Sequence, residues 1–118
     1  MVEIKRPLKR SFDHVDTHVV FIHGLEGDLE GTWTSGEGSD AEFWPYWLEE
    51  ELPNVAVWSV GYPASRSRWL GGIAMAPEDR AEHILQRLLS EPELANGTVI
   101  LVGHSMGGVI IKEMLRLS

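Results

Sequence analysis

The chain has 118 residues, 43% of them apolar, no cysteine, and a formal net charge of −8. That length holds one domain at most, the apolar share is enough for a core, and the missing cysteine excludes disulfides, thiolate metal sites and a cysteine nucleophile. Charge is uneven: Lys5, Arg6, Lys9 and Arg10 against Glu3 make the first ten residues +3 and leave −11 on the rest, which argues against nucleic acid as the main partner.

In chain order, residues 1–16 read as a basic, solvated arm. Peripheral contact of that arm with anionic lipid is a secondary reading, opposed by the acidic body. Thr17–Ile22 (THVVFI) is β-branched and apolar and predicts a buried strand ending at His23-Gly24. Residues 24–40 are rich in Gly, Asp, Ser and Thr and predict a long loop. Phe43, Trp44, Trp47, Leu48 and Leu52 recur at helical spacing, with Ser39 or Asp40 as cap and Pro45 in the first turn. Residues 55–60 predict a second strand closed by Gly61-Tyr62-Pro63, followed by a loop containing Gly71-Gly72.

Pro77 then opens a helix with Ala81, Ile84, Leu85, Leu88 and Leu89 as its buried stripe, and Pro92 closes it. Residues 98–102 (TVILV) predict a third strand. Met106 to Leu117 predicts a third helix with Val109, Ile110, Met114 and Leu117 on one face. The order β-α-β-α-β-α with near-continuous apolar strands implies an α/β fold: a parallel sheet with helices on both faces and sites at the carboxyl ends of its strands. No apolar run is long enough to span a bilayer and no signal peptide is visible, so an intracellular, cytoplasmic setting is expected.

Gly103-His104-Ser105-Met106-Gly107 matches G-x-S-x-G, directly after a strand and directly before a helix. The chemistry requires that context: a serine on a sharp strand-to-helix turn projects its hydroxyl above the sheet. Gly103 and Gly107 keep the turn slim, Gly108 extends the slim helix start, and the helix N-terminus favours negative charge at the reacting oxygen. His104 adjoins Ser105, but neighbouring residues point to opposite faces, so it reads as a packing residue that supports the turn. An acyl-transfer site needs two backbone N–H donors for the oxyanion. Met106 supplies one, and His23-Gly24-Leu25 supplies the other through Leu25, with Gly24 allowing close approach.

On these motifs the chain resembles the lipase-like serine esterases of the α/β-hydrolase superfamily, nearest the serine-active-site-containing and GPI inositol-deacylase-like group. The carrying segments are VVFIHGLEGD (19–28), GTWTS (31–35), WPYWLEEELPN (44–54), VWSVGYPAS (57–65) and ILVGHSMGGVI (100–110). The resemblance covers residues 17–118, taken as the N-terminal portion of a hydrolase domain. It implies Ser105 as nucleophile, Leu25 and Met106 as oxyanion amides, His23, Gly24, Gly103 and Gly107 in support, and an ester or lipid-like small molecule as substrate. No cofactor is expected, and no metal, because carboxylates and histidines do not fall at ligand spacing.

Triad order in this fold is Ser, then Asp or Glu, then His. After Ser105 the only acid is Glu113, and none of the five histidines (His14, His18, His23, His83, His104) follows it. The expectation is therefore a domain whose acid and histidine come from a missing C-terminal half. The competing expectation is a non-catalytic interaction or signalling module. Trp44 and Trp47 read as core aromatics, whereas Trp33 and Trp69, in loops, are open between core and a lipid-accepting cleft.

Overall fold

The computed structural model describes residues 2–9, 11–24, 27–36, 42–63 and 77–118. Strand β2 (Thr17–Ile22) lies between β5 (Val55–Gly61) and β6 (Thr98–Gly103) and is parallel to both. Its register places Ile22 opposite Val60 on one side and Gly103 on the other. All three strands therefore end at one margin of the sheet. β-branched and apolar residues dominate each strand, as a sheet covered on both faces requires.

Successive residues of β2 face opposite sides. Val19 and Phe21 pack with Val55, Val57 and the buried Trp33, joined by half-buried Phe43, Trp44, Tyr46 and Leu48. The last two belong to helix α1 (Tyr46–Glu51). Val20 and Ile22 pack on the other side with Trp58, Val60 and Tyr62. That side is covered by Ala81, Ile84 and Leu88 of helix α2 (Pro77–Leu89) and by Ile110 and Met114 of helix α3 (Met106–Leu117). The α/β architecture with helices on both faces is thus present. No described helix is long and apolar enough to cross a membrane.

Residues expected in a solvated arm form a strand, β1 (Glu3–Lys5), antiparallel to β5 at the sheet margin. Where β1 stops, the buried carboxylate of Glu49 takes over the margin, accepting the Val57 N–H at 2.8 Å and the Leu8 N–H at 3.0 Å. Burial pushes that carboxyl up, against the pull of those two amides and Lys9. The arm's charges are also engaged. Lys5 pairs with Glu30 at 2.7 Å, and Arg6 pairs with Glu91 and Glu93 while lying 5.2 Å over the Trp58 ring.

The first helix is shorter than its apolar spacing suggests. Glu42–Phe43 form a short strand, β4, against β3 (Thr34–Ser35), and α1 begins only after Pro45. Proline cannot donate within a helix, so the apolar residues before it follow a different course. The caps expected at Ser39 or Asp40 lie outside the described residues, as do Trp69 and Gly71-Gly72. The stretch expected as loop also holds a 3₁₀ turn at Gly31–Trp33. Trp33 is core, whereas Trp47 is exposed and donates its indole N–H to Glu42 at 2.7 Å. Leu89, expected in a buried stripe, is exposed, as are Val109 and Leu117 on the apolar face of α3.

Candidate functional site

Ser105 stands in the turn between β6 and α3, at the margin where the three parallel strands end. Its backbone has φ 55° and ψ −121°, and among the described residues it is the only non-glycine at positive φ. L side chains rarely adopt that conformation, and holding one there costs about 1–3 kcal/mol. The turn is fastened by backbone bonds: His104 N–H to the Ile22 carbonyl at 3.1 Å, Gly107 N–H to His104 at 2.9 Å and Gly108 N–H to Ser105 at 2.9 Å. The Met106 N–H has no backbone partner among the described residues, as befits the first turn of a helix. The Ser105 side chain is exposed at the N-terminus of the 12-residue α3, where the helix dipole favours negative charge.

Close approach is what the flanking glycines provide. A Cβ at Gly107 would collide with the Ile22 carbonyl oxygen, and one at Gly103 would meet the Gly108 nitrogen at 2.6 Å. Gly108 is different: a Cβ there would meet nothing within 4 Å. The expectation that Gly108 is needed to keep the helix start slim is not met, because this residue faces away from the sheet.

The segment after β2 comes to the same place. A Cβ on Gly24 would stand 2.5 Å from the His104 carbonyl oxygen, 2.7 Å from Ser105 Cβ and 3.1 Å from the Met106 nitrogen. His23-Gly24 and the Ser105 turn, about 80 residues apart, are therefore in contact through bare backbone. Leu25 lies outside the described residues.

His23 is fully buried, and burial lowers its pKa below 6.5 against the opposing pull of the Gly24 carbonyl and Asp28. The neutral ring donates from Nδ1 to the Gly24 carbonyl at 2.9 Å and accepts the Tyr62 N–H on Nε2 at 3.2 Å. The Tyr62 ring stacks on it at 4.1 Å and 5°. The Tyr62 hydroxyl, its pKa pushed up to about 12 by burial despite Arg80, donates to the His23 carbonyl. The sequence marks Tyr62 only as part of the Gly61-Tyr62-Pro63 close of a strand; the signal for a larger role is an aromatic directly after that strand.

The remaining histidines do not meet Ser105 in a relay. His104 is exposed, with its ring edge-on to Trp33 at 6.2 Å. His18 sits near the amino end of β2, its Nε2 against the Asn96 carbonyl at 3.0 Å and its Nδ1 accepting the Trp58 indole N–H at 3.1 Å. His14 and His83 are exposed, on a turn and on α2. Among the described residues no group of His, Asp and Glu could hold a metal ion.

The sequence pattern of the alpha/beta hydrolase family matches residues 19–117. Protein SERAC1 from Homo sapiens is 29% identical over 130 residues, and that from Danio rerio 30% identical over 132 residues; each alignment covers 97% of this chain. The chain spans only 20% of the length of these relatives. No solved structure matches significantly. With the family pattern covering most of its length and the strand-turn-helix around Ser105 in place, the chain belongs to the alpha/beta hydrolase family.

Proposed function

We propose that this chain carries the nucleophile half of a serine ester hydrolase acting on an ester or lipid-like small molecule. The observation that carries the reading is the contact of Gly24 with both Ser105 and Met106. It brings the backbone at the start of the segment after β2 against the Ser105 Cβ and the Met106 nitrogen. In the proposed reaction Ser105 Oγ attacks the ester carbonyl carbon, and the hydroxyl proton passes to a base. The amides of Met106 and Leu25 receive the oxyanion. Collapse breaks the ester C–O bond, the base returns its proton to the leaving alkoxide, and water then releases the acid from the acyl-enzyme.

An unassisted serine hydroxyl is a weak nucleophile, so the reading needs a base and a carboxylate at Ser105. His18 and His23 have both ring nitrogens engaged by protein groups, which directs the proposal to a histidine and an acid supplied from outside these 118 residues. The same observation favours a second reading, a non-catalytic module that keeps the hydrolase fold. Membrane contact through the basic start is a weaker proposal, because Lys5 and Arg6 already pair with acidic groups of the chain.

Fluorophosphonate labelling separates the first two. In the complete native gene product Ser105 is expected to be labelled, and Ser105→Ala to abolish the signal. The isolated 118-residue chain is expected to react at least about 10³-fold more slowly, as serine enzymes stripped of their triad partners do. A folded native protein that takes no label would establish the non-catalytic reading.

A further inference from the structure

The peptide carbonyls on either side of Gly24 are both fixed, and Tyr62 is central to how. The His23 carbonyl accepts the Tyr62 hydroxyl. The Gly24 carbonyl accepts two donors, the His23 Nδ1–H at 2.9 Å and the Gly27 N–H at 3.1 Å. His23 can hold that orientation because its Nε2 takes the Tyr62 N–H and its ring lies flat on the Tyr62 ring. A peptide unit is planar, so fixing the His23 oxygen fixes the direction of the Gly24 N–H as well. A ring placed only to fill core would need neither the hydroxyl nor the N–H turned on His23. Burial keeps the hydroxyl protonated and therefore always a donor.

We infer that Tyr62 is a positioning residue for the oxyanion loop, acting directly on the His23–Gly24 peptide plane and through the His23 ring on the Gly24 carbonyl. The inference rests on the ester-hydrolase reading of Ser105. Tyr62 touches no substrate. Its effect belongs to the step in which negative charge develops and not to the capture of the ester, since oxyanion donors act on the transition state.

The test follows the time course of fluorophosphonate labelling of Ser105 in the complete native gene product, resolved into a maximal rate and a half-saturating probe concentration. Tyr62→Phe keeps the ring stack and removes the hydroxyl. Its maximal rate is expected to fall about tenfold, less than the loss of a whole oxyanion donor, with the half-saturating concentration unchanged. His23→Asn, which keeps a donor near the Gly24 carbonyl but offers Tyr62 no stacking ring, is expected to behave alike. Ile110→Val, in the same core but away from the loop, controls for loss of stability and is expected to label normally. Wild-type labelling in Tyr62→Phe overturns the inference, as does slowing in all three variants in proportion to their loss of Tm. Absence of label on the wild type overturns the ester-hydrolase reading itself, and this inference with it.

Discussion

Two glycines near Ser105 illustrate how single positions differ. At Gly24 an added methyl group would press on the His104 carbonyl oxygen and on Ser105 Cβ, both within a turn fastened by backbone hydrogen bonds. Gly24→Ala is expected to destabilise the fold by about 1–3 kcal/mol, the usual cost of overpacking. Labelling of Ser105 should fall at least about tenfold, since small misplacements of reacting groups are costly. Gly108 lies inside α3 with open space around it. Gly108→Ala is expected to stabilise by about 0.5–1 kcal/mol, the helix-propensity difference, and to leave labelling unchanged. Urea unfolding with probe labelling on both variants checks the pair; equal effects would mean the two positions are not distinguished as the geometry demands. The strand-turn-helix around Ser105 was legible in the chain because its spacing and flanking elements are local. Which of Gly107 and Gly108 faces the sheet was not, because that depends on the rotation of α3 against the Ile22 carbonyl.

At the scale of elements, the segment joining β2 to the site depends on a histidine that must stay uncharged. His23 titrates below 6.5 because it is buried, so between its lowered pKa and 6.5 the folded state binds fewer protons than the unfolded chain. Its contribution is therefore present above pH 6.5 and is lost as pH falls through the lowered value. Protonation would also place an N–H on Nε2 facing the Tyr62 N–H. Thermal melts across this range are expected to show Tm falling with acidification, and His23→Gln, which has no charge to gain, should flatten that fall. An unchanged slope in the variant would assign the acid sensitivity elsewhere. The three parallel strands and the helices after Pro77 and Met106 were readable because their apolar periods are long and uninterrupted. The edge strand β1 was not, because Glu3, Ile4 and Lys5 carry no such period and their strand comes from pairing with Gly61, Val60 and Ser59, more than 50 residues on. Likewise, the aromatic spacing from Phe43 onward suggested one helix, whereas Pro45 and the pairing with Thr34 divide it.

For the molecule as a whole, the sheet has order β1-β5-β2-β6, and β6 has no partner on its outer side among the described residues. Val99 and Ile100 face opposite sides of β6 and remain 42% and 47% exposed. Beside Val99 an apolar groove of about 280 Å³ runs between α2 and α3, lined by Leu85, Leu89, Leu101, Met114 and Leu115. The apolar runs of β6 and α3 thus gave the right elements, but periodicity marks a face as apolar without saying what covers it. An apolar strand edge is a template for association, and the net charge of −8 opposes it. Salt decides between them. Repulsion between exposed charges is screened beyond about 10 Å at about 0.1 M ionic strength, while apolar contact is not weakened. The 118-residue chain is therefore expected to stay dispersed at about 0.01 M salt and to associate at about 0.5 M, where the screening length falls toward about 3 Å. The double variant Val99→Lys, Ile100→Lys should remain dispersed at both, despite its smaller net charge, because lysines blunt an edge strand. Light scattering at matched concentrations checks this; association of the double variant as readily as the parent would move the sticky surface away from β6, to other exposed apolar residues such as Leu89, Val109 and Leu117.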